Sequence, residues 1–185
     1  MESRRKFLTA GSGIMLVAPS TAFTYQANST VEFGLIGCGG RGNWIAPFFV
    51  EHAGARVVAL ADVVKEHLDT TSEKLKVGGS RAYYGPDAYK ELAASKVDAV
   101  VIESPPYYHP EHAMAAVDAG KHVYLAKPVA VDVPGCKSIL ASGGKAKAKK
   151  LSYLVDFQTR ARPVYQECAA RVHRGEIGTP AFAQI

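Results

Sequence analysis

Short apolar runs alternate with helix-period patterns along most of this chain. Apolar runs of strand length predict β-strands at residues 31–36, 55–61, 82–84, 97–102, 122–126 and 151–157. Apolar positions at helical spacing predict helices at residues 43–53, 64–76, 86–94, 110–119, 133–141 and 163–174. Strands that are almost wholly apolar and are separated by helices are typical of a parallel sheet with both faces covered. The pattern therefore predicts an α/β fold with a doubly wound parallel sheet.

The first residues stand apart from this alternation. The stretch SRRKFL at residues 3–8 places paired arginines before an apolar segment and resembles a twin-arginine export signal, although Thr9 replaces the usual Lys. Glycines interrupt the apolar segment, which falls short of the roughly 20 residues that a spanning helix needs, so no membrane span is expected. We expect a signal peptide at residues 1–22, a linker at residues 23–30 and a periplasmic or other extracytoplasmic location. A disordered cytosolic N-terminus is the alternative.

Composition is ordinary for a globular protein, and the excess of positive charge is mild. The chain has 185 residues, of which 48% are hydrophobic and 21% charged, and its formal net charge is +5. Its basic run consists of Lys145, Lys147, Lys149 and Lys150. Since no aromatic residues lie among these lysines, we interpret the run as a solvated helix end in preference to a nucleic-acid patch, and we expect no nucleic-acid partner.

The numbers and spacings of the cysteines and of two histidines favour neither a disulfide nor a metal site. Cys38, Cys136 and Cys168 are an odd number with no CxxC spacing, so we predict no structural disulfide. Cys38 lies inside a glycine turn, where we expect it to serve as a small residue. His109 and His112 have a spacing that metal sites use, but no third ligand cluster accompanies them, so we expect no metal site.

A glycine-rich turn follows the first predicted strand. In VEFGLIGCGGRGNW, Gly37, Gly39 and Gly42 form the pattern G-x-G-x-x-G, and Gly40 lies between them. After a strand and before a helix, such glycines allow a tight turn, close approach of a pyrophosphate and close helix–strand packing. The helix N-terminus directs free N–H groups at the phosphates. We predict that these four glycines bind a dinucleotide; a glycine turn without a ligand is the alternative.

An acidic residue follows the glycine turn at the spacing typical of dinucleotide-binding folds. Asp62 ends the second predicted strand, where a carboxylate can accept hydrogen bonds from the hydroxyls of the adenosine ribose. The same charge would repel a 2′-phosphate, and the following residues offer no arginine and only Lys65 as a nearby cation. The sequence therefore favours NAD over NADP as the cofactor.

The middle of the chain carries further motifs. Pro105, Pro106 and His109 follow the fourth predicted strand, the stretch AGKHV begins the fifth, and Lys127 and Pro128 come after it. Together with the glycine turn and the stretch VDFQTRARP near the C-terminus, these motifs resemble the glucose–fructose oxidoreductase, inositol dehydrogenase and MocA (Gfo/Idh/MocA) family.

The resemblance extends from residue 31 to residue 185 and implies a division into domains. A Rossmann domain that binds NAD(P) is expected at residues 31–160, and the beginning of a substrate domain at residues 161–185, where TPAFAQI looks like the opening of a strand. In the family, further catalytic residues come from that second domain. We therefore expect this chain to bind the dinucleotide but not to turn over a polyol by itself, and we expect any homo-oligomer to form through the second domain.

The resemblance also implies the chemistry. The family transfers a hydride between the nicotinamide and a carbinol carbon of a sugar, polyol or related small molecule. By resemblance, Lys127 binds the reacting hydroxyl and handles its proton, and it belongs with Pro128 to the cofactor site. Pro105, Pro106 and His109 are expected to contact the nicotinamide side.

Two positions depart from the family pattern. Ala126 replaces a Glu that would orient Lys127, and we expect burial of the lysine in a cleft to disfavour its charged form instead. Glu103 replaces a small residue at the end of the fourth strand, where it could point to solvent or stand near the nicotinamide. Loss of the Glu keeps a second hypothesis open, in which the protein binds a dinucleotide without catalysis.

Overall fold

The part of the chain that the structure describes forms a sheet of six parallel strands, as the alternating pattern predicts. The computed structural model describes residues 30–182, so the expected signal peptide and nearly all of the linker lie outside the described residues. The strands are β1 (Glu32–Ile36), β2 (Arg56–Asp62), β3 (Ala82–Tyr84), β4 (Ala99–Ile102), β5 (His122–Leu125) and β6 (Tyr153–Val155). Their order in the sheet is β3-β2-β1-β4-β5-β6. This is the order of the doubly wound dinucleotide-binding fold, so the predicted fold class is confirmed.

Helices cover both faces of the sheet. They are α1 (Gly40–Ala53), α2 (Lys65–Leu75), α3 (Ala88–Ala94), α4 (His109–Asp118), α5 (Val133–Ala148) and α6 (Pro163–His173), with short 3₁₀ turns at Gly79–Arg81 and Pro106–Tyr108. Helices α1 and α2 pack on one face, around Phe33 and Leu35 of β1. Helices α3, α4 and α5 pack on the other face, around Val100 and Ile102 of β4. Both faces of the central strands are therefore buried, which explains why these strands are apolar without alternation.

The direction of winding changes between β1 and β4. β1 pairs with β2 on one side and with β4 on the other, and all of these pairs are parallel. The loops that leave β1 and β4 therefore turn to opposite faces and open a crevice at the carboxyl edge of the sheet, where ligands of open α/β sheets bind. The main-chain hydrogen bond from the Glu103 N–H to the Ile36 carbonyl, 2.8 Å long, holds the two strand ends together there.

Helix α5 corrects one predicted boundary. The sequence predicts its end at residue 141, before Gly143 and Gly144, but the helix continues to Ala148. Tertiary packing outweighs the low helix propensity of glycine here, because Ala146 is fully buried against the core. Lys145 forms an ion pair with Asp118 at the end of α4. The lysine run thus lies in and just after the last turns of α5.

Helix α1 also begins earlier than predicted, at Gly40 in place of residue 43. Its interior Pro47 has no N–H to donate to the carbonyl of Asn43, one turn earlier. That carbonyl accepts instead from the Lys74 ammonium of α2 at 2.9 Å. The freed acceptor therefore helps to hold the two helices together.

The segment after β6 packs little against the rest of the structure. No residue of α6 is buried. Residues 179–182 form no strand in the described structure, so the strand predicted at TPAFAQI is absent from its first four residues and otherwise lies outside the described residues. The division at residue 160 stays a prediction. Among residues 30–182, no helix has the length and apolar character to cross a membrane.

Candidate functional site

At two positions of the turn after β1, neighbouring main-chain atoms leave no room for any residue other than glycine. Gly37 has φ +92°, and a Cβ there would lie 2.5 Å from the main-chain nitrogen of Ser104. A Cβ on Gly42 would lie 1.9 Å from the carbonyl oxygen of Gly37. The first glycine therefore permits the tight turn, and the second lets α1 pack directly on that turn.

Gly39 and Gly40 have no such steric requirement. A Cβ on Gly39 would meet only the exposed His67 ring, at 3.5 Å, and one on Gly40 would have no neighbour within 4 Å. The φ of Gly39 is −69°, which any residue can adopt. Free space at these two positions, next to the N-terminus of α1, is the space that an approaching phosphate group requires. The arrangement therefore fits the predicted pyrophosphate.

Asp62 joins the end of β2 to the glycine turn. One of its carboxylate oxygens accepts from the Cys38 N–H at 2.6 Å, and the other accepts from the Val64 N–H at 2.7 Å. The Cys38 carbonyl accepts from the buried Thr71 hydroxyl at 2.9 Å. Cys38 is buried, which agrees with a small packing role, and burial beside Asp62 raises the pKa of its thiol to about 12. The predicted ribose acceptor is therefore held in place by the same turn that it would serve.

A cavity opens beside this carboxylate. It measures about 270 Å³ and lies between the ends of β1, β2 and β4. Its lining is mostly apolar and includes Asp62, Val63, Pro86, Pro105 and Tyr108. A concave apolar pocket with a carboxylate at its edge fits the adenosine half of a dinucleotide.

His109 occupies a different place from the one predicted. Its side chain is fully buried at the start of α4. Its Nδ1 lies 2.9 Å from the Pro128 carbonyl oxygen and its Nε2 lies 2.8 Å from the Ser104 carbonyl oxygen. A ring without exposed surface cannot touch a nicotinamide in this structure. His109 instead links the loop after β4 to the loop after β5, and burial lowers its pKa.

His112 is also buried and bonded within the protein. Its Nδ1 lies 2.9 Å from the Ser104 hydroxyl, and its ring packs 4.4 Å from that of Tyr89. Burial lowers the pKa of His112 to about 4. The spacing of His109 and His112 thus serves the packing of α4, and residues 30–182 contain no cluster of three side chains that could hold a metal ion.

Lys127 follows β5 at the carboxyl edge of the sheet, where the fold places ligands. Its side chain is exposed, whereas the preceding Ala126 is buried. The desolvation expected for this lysine is therefore not supplied by residues 30–182, because no described element covers it. Lys127 shares the edge with the glycine turn and with Pro105 and Pro106.

A cluster of charged groups, which the sequence did not reveal as a unit, lies at the same edge. Arg41 of the glycine turn donates through Nε to a Glu103 oxygen at 3.2 Å, and through another guanidinium nitrogen to Asp156 after β6. The phenol of Tyr124 lies against Asp156. Arg41 lies in the glycine-turn motif and Asp156 in the stretch VDFQTRARP. The sequence did not predict their pairing, because the two residues are 115 positions apart and are brought together only by the sheet.

Comparison with known proteins agrees with this geometry. The family model GFO_IDH_MocA, described as "Oxidoreductase family, NAD-binding Rossmann fold", matches residues 31–156. Inositol 2-dehydrogenase 3 of Saccharopolyspora erythraea is 34% identical over 155 residues, which are 83% of this chain and 44% of that protein. A glycosyl hydrolase family 109 protein of Streptomyces niveus is 37% identical over 112 residues, which are 58% of this chain and 23% of that protein.

A solved structure shows the same fold. Scyllo-inositol dehydrogenase from Lactobacillus casei, with bound NAD(H) and scyllo-inositol, superposes with a TM-score of 0.68 at 25% identity, covering 81% of this chain and 43% of that one. The chain thus spans less than half the length of the curated relatives it matches.

Proposed function

This chain belongs to the Gfo/Idh/MocA oxidoreductase family, and on that premise we propose that it positions NAD for hydride transfer to or from a carbinol carbon of a sugar, polyol or related compound. The observation that carries the proposal is the glycine turn. Close main-chain packing excludes a side chain at Gly37 and Gly42. The space over Gly39 and Gly40, by contrast, is open beside Asp62. The inositol dehydrogenases among the relatives support the polyol as substrate class.

The residues of this edge have distinct parts in the proposal. The N–H groups at the start of α1 and the open glycines would bind the pyrophosphate, and Asp62 would accept from the adenosine ribose. Pro105 borders the pocket proposed for the adenosine, in place of the nicotinamide side that the resemblance implied. Pro106 begins the 3₁₀ turn that follows, and Pro128 follows Lys127. When bound, NAD supplies the hydride acceptor.

Lys127 is the residue proposed to handle the proton. An alcohol that loses a hydride must also lose its hydroxyl proton. A lysine side chain at this edge can accept that proton as the neutral amine, and in the reverse reaction its ammonium form can return a proton to the oxygen. The exposed side chain is free to approach a substrate held over the carboxyl ends of the strands. His109 keeps the backbone beside Lys127 in place through the Pro128 carbonyl.

Calorimetric titration of the chain with NAD and with NADP tests the cofactor assignment. We expect NAD to bind more tightly, because Asp62 accepts from a ribose hydroxyl and repels a 2′-phosphate. An assay of NADH formation with myo-inositol and scyllo-inositol then tests the substrate class. Binding of NAD by a longer form of this chain that turns over no polyol would favour the non-catalytic hypothesis.

Cleavage of a glycosidic bond is a second candidate function. The similarity to the glycosyl hydrolase family 109 protein favours it, since that relative has a higher identity over its shorter match. Release of nitrophenol from aryl glycosides in the presence of NAD, without net formation of NADH, would distinguish it from polyol oxidation.

Export by the twin-arginine route stays a prediction, since Arg4 and Arg5 lie outside the described residues. We expect a reporter that functions only after export in the folded state to be inactive when both arginines are replaced by lysine. Continued export of that variant would indicate a general secretory signal.

A further inference from the structure

Three charged side chains connect the glycine turn to the carboxyl ends of β4 and β6. Arg41 belongs to the turn, Glu103 follows β4 and Asp156 follows β6, so the cluster spans three chain segments at the carboxyl edge. Trp44, one turn further along α1, packs its ring 5.1 Å from the guanidinium carbon of Arg41. Arg41 lies in the first turn of α1, next to the main-chain N–H groups proposed to bind the pyrophosphate.

Glu103 is the unusual member of this cluster. Its side chain has no exposed surface, while that of Arg41 is 36% exposed. One carboxyl oxygen faces Arg41, and the other, Oε1, is buried without any hydrogen-bond partner among the described residues. A buried carboxylate with an unpartnered oxygen is costly while it is charged, and the usual response is to bind a proton.

The charges in the cluster do not balance. One guanidinium faces two carboxylates, so the cluster carries a net charge of −1 when both are ionised. The charged and titratable groups that face Glu103 are Arg41 of α1, Asp156 after β6 and the Tyr124 phenol of β5. Only Arg41 favours the charged form of Glu103, and it is shared with Asp156.

We propose that Arg41, Glu103 and Asp156 form a charge-coupled clamp on the glycine turn, in which Glu103 takes up a proton when the dinucleotide binds. This proposal rests on the proposed function, since it requires a dinucleotide at that turn. Glu103 is a positioning residue in it and does not touch the cofactor.

The direction of the coupling follows from two effects of the same sign. The negative pyrophosphate repels a second negative charge across the turn, which favours neutral Glu103. It also attracts Arg41, and any charge that Arg41 shares with phosphate weakens its support of the Glu103 carboxylate. Both effects make protonation easier in the complex. By linkage, the dinucleotide then binds more tightly to the protonated form, so its affinity falls as pH rises.

The pH window is experimentally accessible. Burial raises the pKa of Glu103 to about 6, and Asp156 adds to the rise, although Arg41 opposes it. If the dinucleotide raises this pKa by a further unit, the affinity changes by up to about tenfold. We therefore expect NAD to bind about sixfold more weakly at about pH 7.5 than at about pH 5.5.

The number of protons taken up per bound NAD can be measured by calorimetric titration of the 185-residue chain. The titration is carried out near pH 6.5 in two buffers of different ionisation enthalpy. We expect a fractional proton uptake in the unmodified chain. Glu103→Gln mimics the neutral carboxyl, so it should bind NAD with no uptake and a flatter pH dependence. Glu32→Gln, which removes a carboxylate paired with Arg56 at the opposite edge of the sheet, is the matched control and should keep the uptake.

Each failure has its own signature. Absence of NAD binding at every pH would overturn the proposed function and this inference with it. Binding with no proton uptake, or uptake that survives in Glu103→Gln, would overturn the inference alone. If that variant does not fold, carboxyl-carbon NMR of the unmodified chain with and without NAD decides the matter: no glutamate whose titration midpoint moves upward on binding would contradict the clamp.

Discussion

The carboxylate of Asp62 accepts a 2.6 Å hydrogen bond from the main-chain N–H of Cys38, so the end of β2 is tied to the glycine turn after β1. The residue proposed to recognise the ribose is thus also a structural support of the loop proposed to hold the phosphates. Binding and stability should therefore respond together when Asp62 is changed.

Asp62→Ala should lower both the preference for NAD and the stability. It removes the ribose acceptor and leaves the N–H groups of Cys38 and Val64 without their present partner. We expect the free energy of unfolding to fall by about 2 kcal/mol, measured by denaturant titration, and the NAD-to-NADP affinity ratio to fall in calorimetry. Asp69→Asn, at an exposed residue of α2, should change neither. An unchanged affinity ratio in Asp62→Ala would remove Asp62 from the ribose site.

Gly39 and Gly42 should respond to substitution in opposite ways. Gly39→Val places its side chain in open space, so the chain should keep its stability and lose NAD affinity because the pyrophosphate cannot approach. Gly42→Ala places a Cβ against the Gly37 carbonyl, and the free energy of unfolding should fall by at least about 2 kcal/mol. Thermal unfolding and NAD titration of both variants check the pair. Undiminished NAD binding by folded Gly39→Val would exclude the assigned pyrophosphate site.

His112 should make the folded protein sensitive to acid. Its pKa is lowered to about 4 by burial, below the value of an unfolded histidine. A group of this kind contributes stability above its unfolded pKa of about 6.5, and this contribution is lost as pH falls towards about 4.

The contribution of His112 can be isolated by difference. Glu103 titrates in an overlapping range with the opposite effect, since its raised pKa favours the folded state as pH falls. We therefore compare the unmodified chain with His112→Gln at each pH. The acid-dependent loss that disappears in the variant should be about 3 kcal/mol. Parallel stability curves for the two proteins would show that His112 titrates normally.

Lys127→Ala should separate catalysis from cofactor binding. In any form of this protein that turns over a polyol, we expect the variant to lose turnover while its NAD affinity stays within about twofold, since the lysine acts on the reacting hydroxyl. Lys147→Ala, at an exposed position of α5, is the control and should keep full turnover. Turnover that is indifferent to Lys127 would exclude its proton-handling role.

Restoring the family's Glu at Ala126 has a further cost that only the structure reveals. The Ala126 side chain is buried, and its N–H donates to the Ile102 carbonyl at 3.0 Å. A carboxylate introduced there would have to be accommodated in a buried position, so we expect Ala126→Glu to destabilise the chain. Denaturant unfolding of this variant should accompany any measurement of its turnover.

The local pattern was sufficient to predict the fold and the glycine turn after β1. Apolar strands of parallel-sheet type, such as 97–102, and the glycines at 37, 39 and 42 are signals carried by adjacent residues, because strand burial and turn geometry depend on near neighbours. The predicted end of α5 was wrong because that boundary depends on contacts with residues distant in the chain. Gly143 and Gly144 disfavour a helix locally, but burial of Ala146 and the contact of Lys145 with α4 stabilise it from outside.

The roles of individual side chains were decided by the tertiary structure. The sequence placed His109 near the edge that binds ligands, yet only the packing of α4 turns its ring inward onto the carbonyls of Ser104 and Pro128. The sequence left open where the Glu103 side chain points. In the fold it is buried and accepts a hydrogen bond from Arg41, which lies 62 positions away in the chain. Spacing along a chain fixes which residues can share an edge of the sheet. Which atoms then meet there, and how far water is excluded from them, depends on long-range packing that no local pattern encodes.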